Sequence, residues 1–298
     1  MSPSPSPRSR AAASACLMLA LGACSDAPAP APDAAAHAPS TAEMTAASDG
    51  RGAADVPTQV TGLDGGAVRM FLVDQYGELA QLVGDWPGVP RADGLGTAPA
   101  LREVCARGAI GTPDAPAELV AVCGVPDGAG HVTSALIDLF LLFEDGDAVI
   151  AASRAHLDTF GSSGDVADVS VRRFGPRLHG VVIEDGFTGQ GITVGTTHLV
   201  LPEGDGFRLA GTLRSSLDNL GATLACSERA DCAPDTAFDL IFDLAIDDRV
   251  ATAGAWPLRV RERGEACGRR VDRTYQVPFD AGSGMWAIPP ALAREGCE

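Results

Sequence analysis

The chain has 298 residues, of which 46% are hydrophobic and 20% are charged, and this amount of apolar material excludes wholesale disorder. Only 5% of the residues are aromatic and the only long apolar run lies near the N-terminus, which argues against a multispanning membrane protein and a long coiled coil. The formal net charge is −17 at pH 7, and so acidic a chain repels the phosphates of DNA and RNA, so we expect no nucleic-acid partner.

The first 23 residues have the composition of a secretory signal. Residues 1–10 contain Arg8, Arg10 and no acidic residue, and the apolar run at 11–23 is shorter than the roughly 20 residues needed to cross a bilayer. The run ends in Leu21-Gly22-Ala23-Cys24, which resembles the lipobox of bacterial lipoproteins. This resemblance implies cleavage before Cys24 and acylation of its thiol. The alternative is an ordinary signal peptide whose cleavage site is followed by Cys.

The lipobox resemblance also implies a location. A lipidated Cys24 would attach an exported protein to a membrane of the cell envelope, and Ser25 resembles lipoproteins sent to the outer membrane, on its periplasmic side, if the host is Gram-negative. Residues 25–58 are rich in Ala, Pro, Ser and Asp, which is typical of a tether. We therefore divide the chain into a signal peptide (1–23), a lipidated Cys with a disordered tether (24–58) and a globular body (59–298).

Six cysteines remain in the body. An even number in an exported chain indicates disulfides, and six cysteines allow 15 pairings. We favour pairing of nearest neighbours because each such bridge closes a loop rich in turn residues. Zinc is the weaker alternative, since the body has no pair of cysteines with the short spacing of a zinc site. The expected pairs are Cys105 with Cys123, Cys226 with Cys232, and Cys267 with Cys297.

The body starts with helical patterns and continues with strand patterns. Apolar residues at helical spacing predict a helix within 66–86, and 101–105 could form one more helical turn. From about residue 119 onward, short apolar or alternating runs are cut by Gly, Asp and Pro, which indicates β-strands. The predicted strands are 119–125, 135–143, 149–155, 166–174, 178–184, 191–201, 207–213, 238–246, 256–263, 271–277 and 285–288.

Turn residues connect most of these strands as hairpins. The turns at 144–147, 184–186 and 203–206 contain Gly beside acidic residues and suit positive φ. No helical pattern separates the strands, which argues against a parallel sheet. We therefore predict a mainly β body, an antiparallel sandwich or barrel-like fold with one or two short N-terminal helices.

One predicted hairpin also contains the only basic cluster. Segment 238–246 alternates apolar residues with Asp239 and Asp243, and 256–263 alternates apolar residues with Arg, so pairing them places acid opposite base. We interpret the cluster as a charge ladder, and binding of an envelope polyanion is the alternative. The ladder comprises Asp239, Asp243 and Asp247 facing Arg259, Arg261 and Arg263, and the cluster continues with Arg269, Arg270 and Arg273.

No run of residues matches a serine-hydrolase elbow, a P-loop, a dinucleotide fingerprint or a zinc-protease motif, so we predict no cofactor, no metal and no catalytic residue. Asp138 lies within a nearly all-apolar segment, where a carboxylate needs a partner or a function. We expect a binding or interaction module whose partner is an envelope protein or polymer. The alternative is an envelope hydrolase assembled from Asp138, Glu184, Asp185 and His179 or His198. A metal site formed by His156, His179 and His198 is a weaker hypothesis than the hydrolase. The remaining histidine of the body, His131, lies beside a Gly-rich turn.

Overall fold

The computed structural model describes residues 60–88, 100–130, 133–161, 166–224 and 236–297, all within one compact unit, Asp55–Glu298. The predicted signal peptide, Cys24, the tether, Cys226 and Cys232 lie outside the described residues. The described helices are α1 (Gly65–Tyr76), α2 (Leu220–Leu224) and a 3₁₀ helix, Pro290–Ala293. None of them is long and apolar enough to cross a bilayer. The strands are β1 (Trp86–Gly88), β2 (Ala100–Ala109), β3 (Ala117–Pro126), β4 (Ala135–Asp145), β5 (Ala148–Phe160), β6 (Asp168–Arg173), β7 (His179–Gly189), β8 (Ile192–Glu203), β9 (Gly206–Asp218), β10 (Phe238–Ile246), β11 (Leu258–Ala266), β12 (Arg269–Val277), β13 (Phe279–Asp280) and β14 (Met285–Trp286).

Helix α1 is the predicted N-terminal helix, but it ends earlier than the apolar pattern. Asp64 caps its start, because the side-chain Oδ1 accepts from the backbone N–H groups of Gly66 at 2.9 Å and Ala67 at 3.1 Å. Gly77 ends it with a φ of 92°, in the left-handed region that Gly tolerates best. The helix buries one face, formed by Val68, Phe71, Leu72 and Tyr76.

The second predicted helical turn, residues 101–105, is wrong. These residues belong to β2, where side chains alternate between buried and exposed from Ala100 to Glu103. An alternation of two is the period of a strand. The pairing of β2 with β3 and the disulfide from Cys105 to Cys123 hold this segment in an extended conformation.

Twelve of the described strands form two antiparallel meanders, and β13 pairs with β14 in a separate hairpin. Sheet one has the order β1-β2-β3-β4-β5, and sheet two has the order β12-β11-β10-β9-β8-β7-β6. Each strand therefore pairs with its neighbours in sequence, as short hairpin connections require. The sheets stack face to face and the described strands close no barrel, so the predicted antiparallel sandwich is confirmed.

Two of the three predicted turns are present. Gly146 joins β4 to β5 with a φ of 62°, and Gly204 joins β8 to β9 with a φ of 57°. The turn predicted at 184–186 is wrong, because those residues continue β7 and Asp185 lies opposite Thr196 of β8. The chain reverses farther on, at Gln190 and Gly191, which both have positive φ.

Sheet one lies between helix α1 and sheet two. On β4, Phe140 and Leu142 pack with the buried face of α1, whereas Ile137 and Leu139 pack with side chains of β6, β7 and β8. Strand β4 is thus covered on both faces, as its nearly continuous apolar run predicts. A separate core lies on the far side of sheet two under the C-terminal segment. It includes Leu199, Leu213, Leu217, Leu240, Leu258, Val260, Trp286 and Leu292.

The predicted hairpin of β10 and β11 is present, but its ion pairs differ from the expected ladder. Asp243 lies directly opposite Arg261. Arg261 nevertheless donates to Asp272 of β12 through Nε and Nη2, each at 2.9 Å. Arg263 reaches Asp243 diagonally, with Nε 2.7 Å from Oδ2. The other two acids of the expected ladder have different neighbours. Asp239 lies opposite Glu265, and Asp247 accepts from Arg249 in the following turn.

Two disulfides are present in the described residues. Cys105 on β2 joins Cys123 on β3, with 5.6 Å between their Cα atoms. Cys267, between β11 and β12, joins Cys297 near the C-terminus, with a Cα separation of 5.7 Å. Both pairs are the nearest-neighbour pairs expected from the sequence. In the chain-entropy model, loops of this size contribute about 3 kcal/mol each.

Candidate functional site

A buried polar cluster surrounds Asp138. Tyr76 Oη donates to Asp138 Oδ2 at 2.6 Å, and Arg102 Nη1 donates to the same oxygen at 3.2 Å. His156 Nδ1 lies 2.5 Å from Oδ1. Asp138 and Arg102 are fully buried, and His156 is nearly so. We call these four residues the Asp138 centre.

Register and layer order place the Asp138 centre. Asp138 lies opposite His156 on β5, and like Phe140 it points toward α1. Tyr76, the last residue of α1, therefore reaches the carboxylate from the helix that covers this face, and Arg102 reaches it from β2. Burial of a carboxylate is costly unless charge and hydrogen bonds compensate, and among the described residues Tyr76 and Arg102 donate to Asp138 while His156 Nδ1 lies against its other oxygen. The centre ties a helix and three strands together.

The His156–Asp138 contact has the geometry of a general base oriented by a carboxylate. The hydrolase alternative, however, needed Asp138 beside Glu184, Asp185 and one of two other histidines. The structure places Asp138 under α1 on sheet one, whereas Glu184 and Asp185 line a groove on sheet two. Sequence reasoning flagged Asp138 but missed Tyr76 and Arg102. Arg102 carries a readable signal, since it lies at a buried position of an alternating strand.

The strand histidines lie in different surroundings. His198 stacks on Phe160 with 4.6 Å between ring centroids, and its Nδ1 lies 3.2 Å from Thr212 Oγ1. Burial lowers the pKa of His198, and the charge of Asp185 raises it by less. Burial and the nearby Arg173 lower the pKa of His179. Within the described ranges, no three His, Cys, Asp or Glu side chains are arranged to hold a metal ion. His131 lies outside those ranges.

Two adjoining cavities form a groove on the outer face of sheet two. One, of about 580 Å³, lies between strands β6–β8 and β10, and the other, of about 480 Å³, extends toward the β7–β8 hairpin. They share Asp168 and Glu184, so they form one continuous surface, which we call the acidic groove. Its floor includes Val182, Val194, Phe242, Leu244 and Ile246, and its polar lining includes Asp168, Ser170, Arg172, Glu184, Asp185 and Thr197.

Like charges face each other in the acidic groove. Asp168 on β6 lies directly opposite Glu184 on β7, and both side chains are exposed. Carboxylates at directly opposed positions repel each other and destabilise a sheet. Asp185 and Asp243 also line the groove, and Arg172 is the single basic residue among the lining side chains. Asp243 is paired with Arg263. The local field therefore favours a cationic group over an anionic one.

The basic cluster adjoins this groove on the exposed side of β10, β11 and β12, because Asp243 and Leu244 also line a neighbouring cavity with Arg259 and Arg261. Arg261 and Arg263 each bond a carboxylate through two guanidinium nitrogens. In turn, the bond from Arg261 lowers the pKa of Asp272, and the bond from Arg263 lowers the pKa of Asp243. The paired guanidinium groups of Arg261 and Arg263 are poorly placed to bind a polyanion, which favours a charge ladder at these two residues.

A second buried carboxylate lies under the C-terminal segment. Glu262 on β11 is fully buried, and it accepts hydrogen bonds from Tyr275 Oη at 2.8 Å and Arg294 Nη1 at 2.7 Å. Burial and the bond to Glu262 raise the pKa of Tyr275. Arg294 follows the 3₁₀ helix, so this ion pair and the nearby Cys297 hold the chain end against sheet two. Its role is to fix the fold.

Comparisons of the chain with protein-family models, with curated proteins and with solved structures find no match.

Proposed function

We propose that this protein is a lipid-anchored binding module of the cell envelope, which holds an extended segment of a partner protein in the acidic groove. The observation that carries the proposal is the continuous groove with an apolar floor and opposed carboxylates at Asp168 and Glu184. A segment that alternates basic and apolar side chains matches it, because apolar groups cover the floor and the basic groups relieve the repulsion between the two acids.

The edge of the sheet supports an extended partner. Strand β6 is the last strand of sheet two, and in the described part of the chain no strand pairs with its outer edge. An exposed edge can add a strand through main-chain hydrogen bonds, while side chains provide selectivity. The groove begins at β6, where Asp168, Ser170 and Arg172 line it. Backbone pairing and side-chain recognition would therefore act on the same segment.

The anchor is supported by the order of the N-terminal residues. Arg8 and Arg10 precede the apolar run, and Leu21-Gly22-Ala23-Cys24 follows it. The two disulfides of the body suit an oxidising, exported location. In a Gram-negative host we place the module at the outer membrane, facing the periplasm, where the tether would let the groove reach partners away from the bilayer.

Replacement of Cys24 by Ala tests the anchor. We expect the variant to leave the membrane fraction or to accumulate as the uncleaved precursor, because the thiol that carries the lipid is gone. Membrane fractionation and intact-mass measurement of the mature N-terminus check this. Replacement of Cys16 by Ala is the matched control and should keep the protein on the membrane. A mature N-terminus without acyl chains in the unmodified protein would contradict the proposal.

Peptide binding tests the groove. The probes are fluorescent peptides that alternate Val with Arg, Gln or Glu, and the target is the detergent-solubilised mature protein. We expect the Arg peptide to bind most tightly, with an affinity that falls as salt rises. Glu184→Gln should weaken binding about two- to five-fold, as loss of one exposed charge pair predicts.

Asp145→Asn is the control for the groove, because it removes an exposed acid in the β4–β5 hairpin of sheet one. Its affinity for the Arg peptide should match that of the unmodified protein. Equal binding of the Arg and Glu peptides would contradict the proposed charge selectivity. An unchanged affinity in Glu184→Gln would show that the peptide binds at another surface.

A further inference from the structure

Three buried N–H-bearing atoms beside the Asp138 centre lack an acceptor. They are Trp86 Nε1 and the Nε and Nη2 atoms of Arg102, and in the part of the chain that the structure describes none of them has a hydrogen-bond partner. Trp86 and Arg102 are each only 1% exposed, so bulk water does not satisfy them. Buried polar groups are nearly always hydrogen-bonded, and an orphaned one calls for an explanation.

The two side chains lie side by side. Trp86 on β1 is the register partner of Arg102 on β2, so both point to the same face of sheet one. The Arg102 guanidinium lies 5.2 Å from the centre of the Tyr76 ring, and the Tyr76 and Trp86 ring centroids are 6.2 Å apart. Indole N–H and guanidinium are donors without acceptor capacity, so neither can satisfy the other. One acceptor within reach of both side chains would satisfy both.

We propose that Trp86 and Arg102 bind a small monovalent anion of the halide class in this buried position. The charge of Asp138 is shared among Tyr76, Arg102 and His156, and Arg102 meets it only through Nη1. The remaining guanidinium N–H groups can therefore attract a second acceptor. A halide needs only donors, whereas a water molecule also needs acceptors for its own hydrogens.

Glycines on the two neighbouring strands fix the position of Arg102. A Cβ built on Gly88 would clash with Arg102 Nε, so the Arg102 side chain packs directly against the backbone of Gly88. On the other side, a Cβ on Gly124 would lie 3.1 Å from Arg102 Cγ. Arg102 thus rests between two glycines and is held in place. The inference does not depend on the acidic groove.

Thermal unfolding of the mature protein in sodium chloride and in sodium gluconate at equal concentration tests the site. We expect a higher midpoint in chloride, by about 3 to 5 °C at ten times the dissociation constant, and a rise with the logarithm of chloride concentration. Trp86→Phe removes one donor while keeping an aromatic ring, and it should abolish most of the difference. Trp286→Phe is the matched control, because its Nε1 already donates to Trp256 O at 3.0 Å.

Equal midpoints in the two salts would overturn the proposal, and so would a full chloride response in Trp86→Phe with loss of the response in Trp286→Phe. Crystals grown in sodium bromide give a readout that does not depend on how well the variants fold. An anomalous peak within hydrogen-bond distance of Trp86 Nε1 and Arg102 supports the site. A water molecule there, with no anomalous signal, rejects it.

Discussion

Replacement of Asp138 by Asn is expected to lower the free energy of unfolding by about 3 to 5 kcal/mol. The carboxylate is fully buried and meets Tyr76, Arg102 and His156. Without it, the guanidinium of Arg102 stays buried with no opposite charge among the contacts of the centre. An uncompensated buried charge costs far more than the ion pair itself contributes, which is why so large an effect is expected from a change of one atom type.

Chemical denaturation followed by circular dichroism measures this loss. Asp272→Asn is the control, because its ion pair with Arg261 is exposed and should contribute little. The double variant Asp138→Leu with Arg102→Met removes both charges and should recover much of the lost stability. A small effect of Asp138→Asn, comparable with that of Asp272→Asn, would show that the centre does not hold the fold. Its burial would then favour a chemical role.

Truncation of Arg294 to Ala is expected to cost about 3 to 5 kcal/mol as well. Arg294 donates to Glu262, and both side chains are almost completely buried. After truncation Glu262 keeps the hydrogen bond from Tyr275, but its negative charge has lost its guanidinium. The C-terminal segment covers the core of sheet two, so loosening of its attachment should also expose Leu292 and Trp286.

Urea denaturation and tryptophan fluorescence measure the effect of Arg294→Ala. Arg263→Ala is the matched control, since Arg263 and its partner Asp243 are both about half exposed and the change should shift the unfolding midpoint little. If the disulfide from Cys267 to Cys297 alone held the chain end, Arg294→Ala would behave like this control. That outcome would contradict the role assigned to Glu262.

Local patterns predicted the architecture well. The alternation of β10 and β11 places Phe242 and Val260 in the core, and the apolar run of β4 is covered on both faces as expected. Gly at 146 and 204 marks real hairpin turns, because the low cost of a positive φ is intrinsic to glycine, which lacks a Cβ. The turn at 184–186 had similar residues and failed, since the ladder to β8 continues through Asp185.

Ion pairs were predicted less well than strands, for a physical reason. The Asp and Arg rows of β10 and β11 do lie on one face, but a long Arg side chain chooses among opposed, diagonal and next-strand carboxylates. Arg261 therefore bonds Asp272 rather than the Asp243 opposite it. Such choices depend on where β12 lies, and no periodicity of β10 or β11 contains that information.

The sequence by itself determined the antiparallel β class and the N-terminal helix, because both follow from residue periodicity and turn chemistry. Among 15 possible pairings it only favoured the two described disulfide pairs, through their short spacing along the chain. Only the tertiary structure decided which residues surround Asp138, where Glu262 finds Arg294, and that Asp168 opposes Glu184. Arg102 and Asp138 are 36 residues apart in the sequence, and Glu262 and Arg294 are 32 residues apart. Their contacts depend on strand register and layer stacking, which are set by the packing of the whole body rather than by any one segment.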